Sequence, residues 1–454
     1  MKKIYVEQIV DESKFNSVHL MVVLWCSFIM FCDGYDMVVF GSVIPSISAE
    51  WGISTSTAGF IGSLGMFGAL IGSLVCGILA DFWGRKKVIV VCFTIFTTFT
   101  FLTGFAQGPV EFAIFRTLGG LGLGGMPPLL VAIMSEYSPK TSRSMLVGLI
   151  SSGFAIGGIS VALLGIVVIP NLGWEWMFFF GGLPILALPF MIKSMPESLA
   201  FLVVRKENDK VSHILSKLNP TYIPQKEDSF EVHLPKQGMP VTKLFTEKRG
   251  FSTIMFWITS FMALLVIYGL GTWLPQLMVQ AGYPLTSSLL FLFALNFGVM
   301  IGNITGGWLA DRNKPKKVIA GMLILGGISL SLLGFKPVMV ILYLLVVVAG
   351  ACSNGPGTTN YGYASKFYPT RMRSTGVGWT SGIGRIGAMV GPFFGGLLLE
   401  LSLPTHMNFI SFAIPALLGA LAISFVQDKY SDFKIVSTKP VQHIGTAEVN
   451  PNEV

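Results

Sequence analysis

Twelve apolar runs, each about twenty residues or longer, leave this chain almost no choice of architecture. They lie at about 18–44, 56–80, 88–106, 109–135, 145–169, 174–193, 251–278, 286–310, 318–335, 338–363, 374–399 and 405–426. A helix rises about 1.5 Å per residue, so roughly 20 apolar residues cross the ~30 Å hydrocarbon layer. The runs predict an all-α membrane protein with twelve transmembrane helices. Charged residues make up 12% of the chain, against about 25% in an ordinary soluble domain, which excludes the soluble classes.

The basic residues set the topology. Of 31 Lys and Arg, Arg116 and Arg385 fall inside runs and Lys336 in one alternate loop, while the other 28 collect on a single side. By the positive-inside rule that side is cytoplasmic and holds both termini. The net charge of +8 therefore reflects orientation, and no nucleic-acid partner is expected. The first residues lack the apolar core of a removable signal. All five Cys sit in or beside apolar runs with no CxxC pair, which indicates neither a disulfide framework nor a metal site.

The chain also repeats. GILADFWGRKKV at Gly77 to Val88 matches GWLADRNKPKKV at Gly307 to Val318 at an offset of 230, and the same offset carries Ser135, Pro139, Arg143, Ser144 and Gly148 onto Ser365, Pro369, Arg373, Ser374 and Gly378. The expected layout is a cytoplasmic segment (1–17), a six-helix bundle (18–193), a cytoplasmic linker (194–250), a second bundle (251–427) and a cytoplasmic tail (428–454). In a transporter, a duplicated unit of this kind predicts two bundles rocking around a site near the midplane.

Charges inside the runs are the candidates for that site. An intramembrane carboxylate costs at least about 2.5 to 3.5 kcal/mol, so it faces a protein interior or a wet cavity and by default marks an ion or proton path. Asp33 and Asp36 stand three residues apart on one helical face, with Gly34 between them. They read as the proton-coupling pair, against the alternative of structural acids neutralised from another helix. Arg116, roughly 10 Å into the fourth run, and Asp36, roughly 14 Å into the first, lie at similar depth and can pair. Asp33 is then free to carry a proton, although the opposite allocation remains open. Arg385 stands near the middle of the eleventh run, where the repeat has Ala155. A planar, permanently charged guanidinium in a low-dielectric cavity suits a substrate carboxylate; the alternative is a structural pair. Tyr35, Tyr268, Trp273, Asn296, Asn303, Tyr361, Tyr363 and Trp379 are available to line an aromatic or polar cavity.

The Gly-x-Leu-Ala-Asp-x-x-Gly-Arg-Lys-Lys loop ending at Lys87 resembles the signature of the major facilitator superfamily, as do Arg116-Thr-Leu-Gly-Gly-Leu-Gly-Leu-Gly and Pro196-Glu197-Ser198. The Asp33-Gly-Tyr-Asp motif is similar to the aromatic acid:proton symporters, and the residues around it look closest to benzoate permeases. The resemblance implies the major facilitator fold of two pseudo-symmetric bundles. It also implies a secondary transporter, not an enzyme, that imports an aromatic carboxylate with H+ as coupling ion and without a cofactor. A monomer in the bacterial inner membrane is expected. It further implies a cytoplasmic gate network of Asp81, Arg85, Glu136 and Arg143, with Asp311 and Arg373 as second-half equivalents. Arg312-Asn313-Lys314-Pro315 departs from the signature there. The rivals are a proton-coupled exporter of the same fold and a permease for a non-aromatic organic acid.

Overall fold

The computed structural model describes residues 2–220, 222–225, 228–232, 240–335, 337–369 and 371–431. Lys226, Lys336 and the part of the expected tail from 432 onward lie outside them. Twelve helices are long and apolar enough to cross a membrane: α1 Ser17–Trp51, α2 Thr55–Trp83, α3 Arg85–Thr103, α4 Pro109–Tyr137, α5 Arg143–Leu172, α6 Glu175–Ser194, α7 Gly250–Gln280, α8 Leu285–Arg312, α9 Pro315–Leu333, α10 Met339–Phe367, α11 Arg373–Glu400 and α12 Thr405–Ser424. The twelve crossings among the described residues bring the ends of the described chain to one face, here the terminal face.

Local chemistry sets the helix ends. Asn16 caps α1, its side chain accepting from the Val18 and His19 backbone N–H groups. Gly52, at φ +60°, stops the helix in the left-handed region. The helix thus runs on past residue 44, the end of the apolar run, and carries Pro45 within it as far as Gly52.

Close approach of backbones holds each bundle together. A Cβ at Gly34 would stand 1.9 Å from the Phe154 carbonyl oxygen, so α1 and α5 cross where only glycine fits. Gly124 of α4 meets the Ala69 carbonyl oxygen of α2 in the same way, at 1.7 Å.

The apolar core shows how the bundles meet. Away from the termini, one continuous cluster joins both halves, with Val39, Val43 and Val161 of the first packed with Val266, Trp273 and Leu292 of the second. Toward the terminal face the core divides into two clusters, one within each half. Polar contacts follow the same division. Ser63 Oγ of α2 donates to the Met389 carbonyl at 2.6 Å and accepts from the Phe393 N–H at 3.1 Å, tying α2 to α11 on the closed side. The molecule is therefore open toward the terminal face and sealed on the other.

The described part of the polar stretch up to Val232 is folded against the first bundle, whereas Leu244 packs into the second. A strand β1, Lys2–Tyr5, pairs in parallel with β2, Asp228–Glu231. The helix Asn208–Leu218 buries Val211, Leu215 and Leu218, a stripe at helical spacing, into the first bundle's terminal-side cluster. Asn16 Nδ2 donates to the Lys217 and Leu218 carbonyls at 3.0 and 2.9 Å.

Candidate functional site

The two acids of α1 end in different surroundings. Asp36, 1% exposed, has both oxygens satisfied: Arg116 Nη1 donates to Oδ2 at 2.7 Å and Thr100 Oγ1 donates to Oδ1 at 2.7 Å. Arg116 Nη2 also reaches the Asp36 carbonyl at 3.1 Å. A buried charge pair so bonded is internally compensated. Asp33, 4% exposed, has no hydrogen bond or ion pair among the described residues. The charges that reach it are those of Asp36 and Arg385.

Arg385 projects from α11 across the gap between the bundles, and its Nη1 donates to the Gly124 carbonyl of α4 at 3.1 Å. That carbonyl is available because the residue four positions on, where the helical N–H should come from, is Pro128. The other guanidinium donors engage no carboxylate among the described residues, which leaves a half-buried cation with most of its hydrogen-bonding capacity open.

Aromatic and hydroxyl groups of the second bundle complete the surroundings. Tyr268 of α7 lies within electrostatic reach of Asp33, Arg385 and Tyr361. Gly384, beside Arg385, makes room on α11: an added Cβ would stand 2.7 Å from Ser260 Oγ and 3.3 Å from the Tyr361 hydroxyl. Ser260 Oγ is buried with no hydrogen-bond partner among the described residues. Asp33, Arg385, Tyr268, Tyr361 and Ser260 thus converge from α1, α7, α10 and α11 on the level where the two bundles part.

Other candidates take different places. Tyr35 is buried with its hydroxyl on the Met177 carbonyl at 2.8 Å, and Trp273 is buried with Nε1 on the Pro392 carbonyl at 2.7 Å. The Tyr363 hydroxyl is bound to Asp428. Their polar ends are committed to structural bonds, so none of the three offers a free group to a cavity. Asn296 donates to the Leu292 carbonyl of its own helix at 2.9 Å and packs over Gly158 of α5, at the α5–α8 contact. Trp379 stacks on Trp257 at 5.7 Å, six residues before Arg385 and about 120° around the helix from it.

The gate residues divide too. Arg85 pairs with Glu136, and Ser198 Oγ donates to the other Glu136 oxygen at 2.7 Å. Arg143, expected to join them, instead pairs with Asp11 of the N-terminal segment, which docks beside it. Asp311 faces Lys366 at 3.4 Å, not Arg373. Asp81 and Arg373 are exposed and make no ion pair among the described residues, because the bundles stand apart at that end. Sequence reasoning missed Ser260 and the Gly124 carbonyl. The second had a readable signal in Pro128.

Comparison with known proteins identifies the family and the fold. A sequence profile described as Major Facilitator Superfamily matches residues 26–314 and 292–446. The chain is 43% identical to a benzoate transport protein of Acinetobacter baylyi, covering 100% of this chain and 99% of that protein. It is 35% identical to a gentisate transporter of Corynebacterium glutamicum over 93% of this chain and 91% of that one. Among solved structures, a bacterial homolog of the human lysosomal transporter Spinster superposes with a TM-score of 0.72 at 18% identity, covering 92% of this chain and 100% of the other, and shares the fold.

Proposed function

This chain belongs to the aromatic acid transporters of the major facilitator superfamily, and on that premise we propose that it imports a benzoate-type carboxylate together with a proton by alternating access. The observation that carries the reading is a buried acid and an open cation: Asp33 has no hydrogen bond or ion pair among the described residues, and Arg385 reaches across the gap to the Gly124 carbonyl with its other donors meeting no carboxylate among them. In the empty site the two charges balance across the gap. A substrate carboxylate that takes Arg385 removes that balance and leaves Asp33 as an uncompensated anion in a low-dielectric cavity. Protonation of Asp33 restores the sum, so cargo and proton are favourable together and unfavourable singly. Arg116 and Asp36 already satisfy each other and serve as the fixed partner of this site.

The aromatic part of the cargo would lie against Tyr268 and Tyr361, with Ser260 and the tyrosine hydroxyls as polar contacts. Uptake of a labelled panel (benzoate, hydroxybenzoates, phenylpropionates and a muconate-type dicarboxylate) into cells carrying the protein tests the assignment. Benzoate and its hydroxylated forms should accumulate and the dicarboxylate should not. Accumulation of the dicarboxylate alone would overturn the aromatic assignment.

Alternating access requires the terminal face to close in turn. Asp81, Arg143, Asp311 and Arg373 all stand at its mouth, and their charges suit a latch that forms on closure. The working unit is proposed to be a monomer in the bacterial inner membrane with the terminal face cytoplasmic. A reporter fused after His213 should then be cytoplasmic and one after Glu50 external; both on one side would refute the orientation.

A further inference from the structure

The repeat that relates the halves breaks down in charge at one place. In the first half the loop between α2 and α3 is neutralised: Arg85 pairs with Glu136, and Glu197 accepts from the Lys86 backbone N–H at 2.9 Å. Moving each residue by the 230-residue offset puts Lys366 where Glu136 stands, Pro315 at Arg85 and Gln427 at Glu197. Both acids that quiet the first loop are absent from the second.

The result is a cleft of about 820 Å³ walled by Arg312, Lys314, Lys317 and Lys366, with Asp311 as its single acid and Tyr363 at its back. The α9 helix begins here at Pro315, so the positive end of its dipole adds to the field. Lys366 touches Asp311 at 3.4 Å, and Arg312 stacks over Trp308 at 4.2 Å from the ring centroid. All four cations are exposed. Orientation in the membrane needs basic residues near span ends, but it does not need them gathered in a concave wall with the symmetry-related acid turned into a lysine. The cleft sits at the very end of α8, and Trp308, 53% exposed, marks headgroup depth beside it.

We infer that this cleft binds a phosphate-bearing anion, and that its source is the headgroup of an anionic phospholipid in the leaflet on the terminal side. A phosphodiester there meets lysine ammonium groups at the level where lipid phosphates lie, and its glycerol faces Trp308.

The test uses the full-length transporter in detergent with phosphatidylglycerol or phosphatidylcholine added, and counts retained lipid by native mass spectrometry. The wild type should hold phosphatidylglycerol in preference to phosphatidylcholine. Lys317→Gln with Lys366→Gln should reduce that preference on the order of ten- to thirtyfold, as expected for two basic residues near a charged lipid surface. A control change of two lysines in the first-half loop, Lys86→Gln with Lys87→Gln, should leave the preference nearly intact. Equal losses in the two double variants would show general surface charge and overturn the site. Inorganic phosphate separates the sources: if it protects Lys366 from amine labelling while phosphatidylglycerol does not, the lipid assignment falls.

Discussion

An Arg385→Ala transporter should lose most of its preference for an aromatic acid over the corresponding uncharged amide. The expectation rests on the placement of Arg385, whose guanidinium crosses to the Gly124 carbonyl of the other bundle. Its remaining donors meet no carboxylate among the described residues. Lysine keeps the charge and loses the planar fork. Arg385→Lys should therefore weaken binding of the acid by about 1.5 to 3 kcal/mol, roughly ten- to a hundredfold, while leaving amide binding almost unchanged. The measurement is competition by acid and amide against labelled substrate. If Arg385→Ala binds both more weakly at an unaltered acid-to-amide ratio, the residue is structural and Arg116 becomes the better anchor.

The second large effect separates the two acids of α1. Asp33→Asn preserves shape while fixing the group in a neutral form, so substrate should bind and exchange across the membrane but no longer accumulate against a pH gradient. Asp36→Asn should fail differently, because it leaves Arg116 a buried, unpaired cation. Breaking one side of such a pair costs about 3 to 5 kcal/mol, so the amount of folded protein in the membrane should fall. Concentrative uptake in Asp33→Asn would remove the proton role proposed for Asp33. Normal expression with lost coupling in Asp36→Asn would transfer that role to Asp36.

Much of this arrangement was legible in the chain, for reasons that can be named. The twelve helices follow from the length of the apolar runs, since nothing else in water or lipid accommodates them. The contact between Arg116 and Asp36 follows from similar depth on helices that pack together, because a charge in that environment must find a partner near its own level. Less legible were contacts made by groups with no periodic signature. Asp11 lies in a short polar segment, and its hold on Arg143 depends on how that segment folds back on the bundle. Tyr35, Trp273 and Tyr363 look like any other aromatics of the spans until their hydroxyl and indole groups are seen on Met177, Pro392 and Asp428. A one-dimensional reading sees an aromatic and its depth, but not the direction of its polar atom.

The single apolar core on the sealed side bears on what this protein does when it carries nothing. Parting the bundles there would wet surface worth about 25 cal/mol per Å², so each 100 Å² exposed costs on the order of 2.5 kcal/mol. Contacts that form as the terminal face closes must offset such a sum, in the empty molecule as in the loaded one, because a symporter returns empty for its next cargo. A molecule with a proton on Asp33 and no cargo would carry Arg385 as an uncompensated cation and should seldom complete the reversal, so a cell that keeps it in its membrane through long periods without aromatic acids would lose little of its proton gradient by that route.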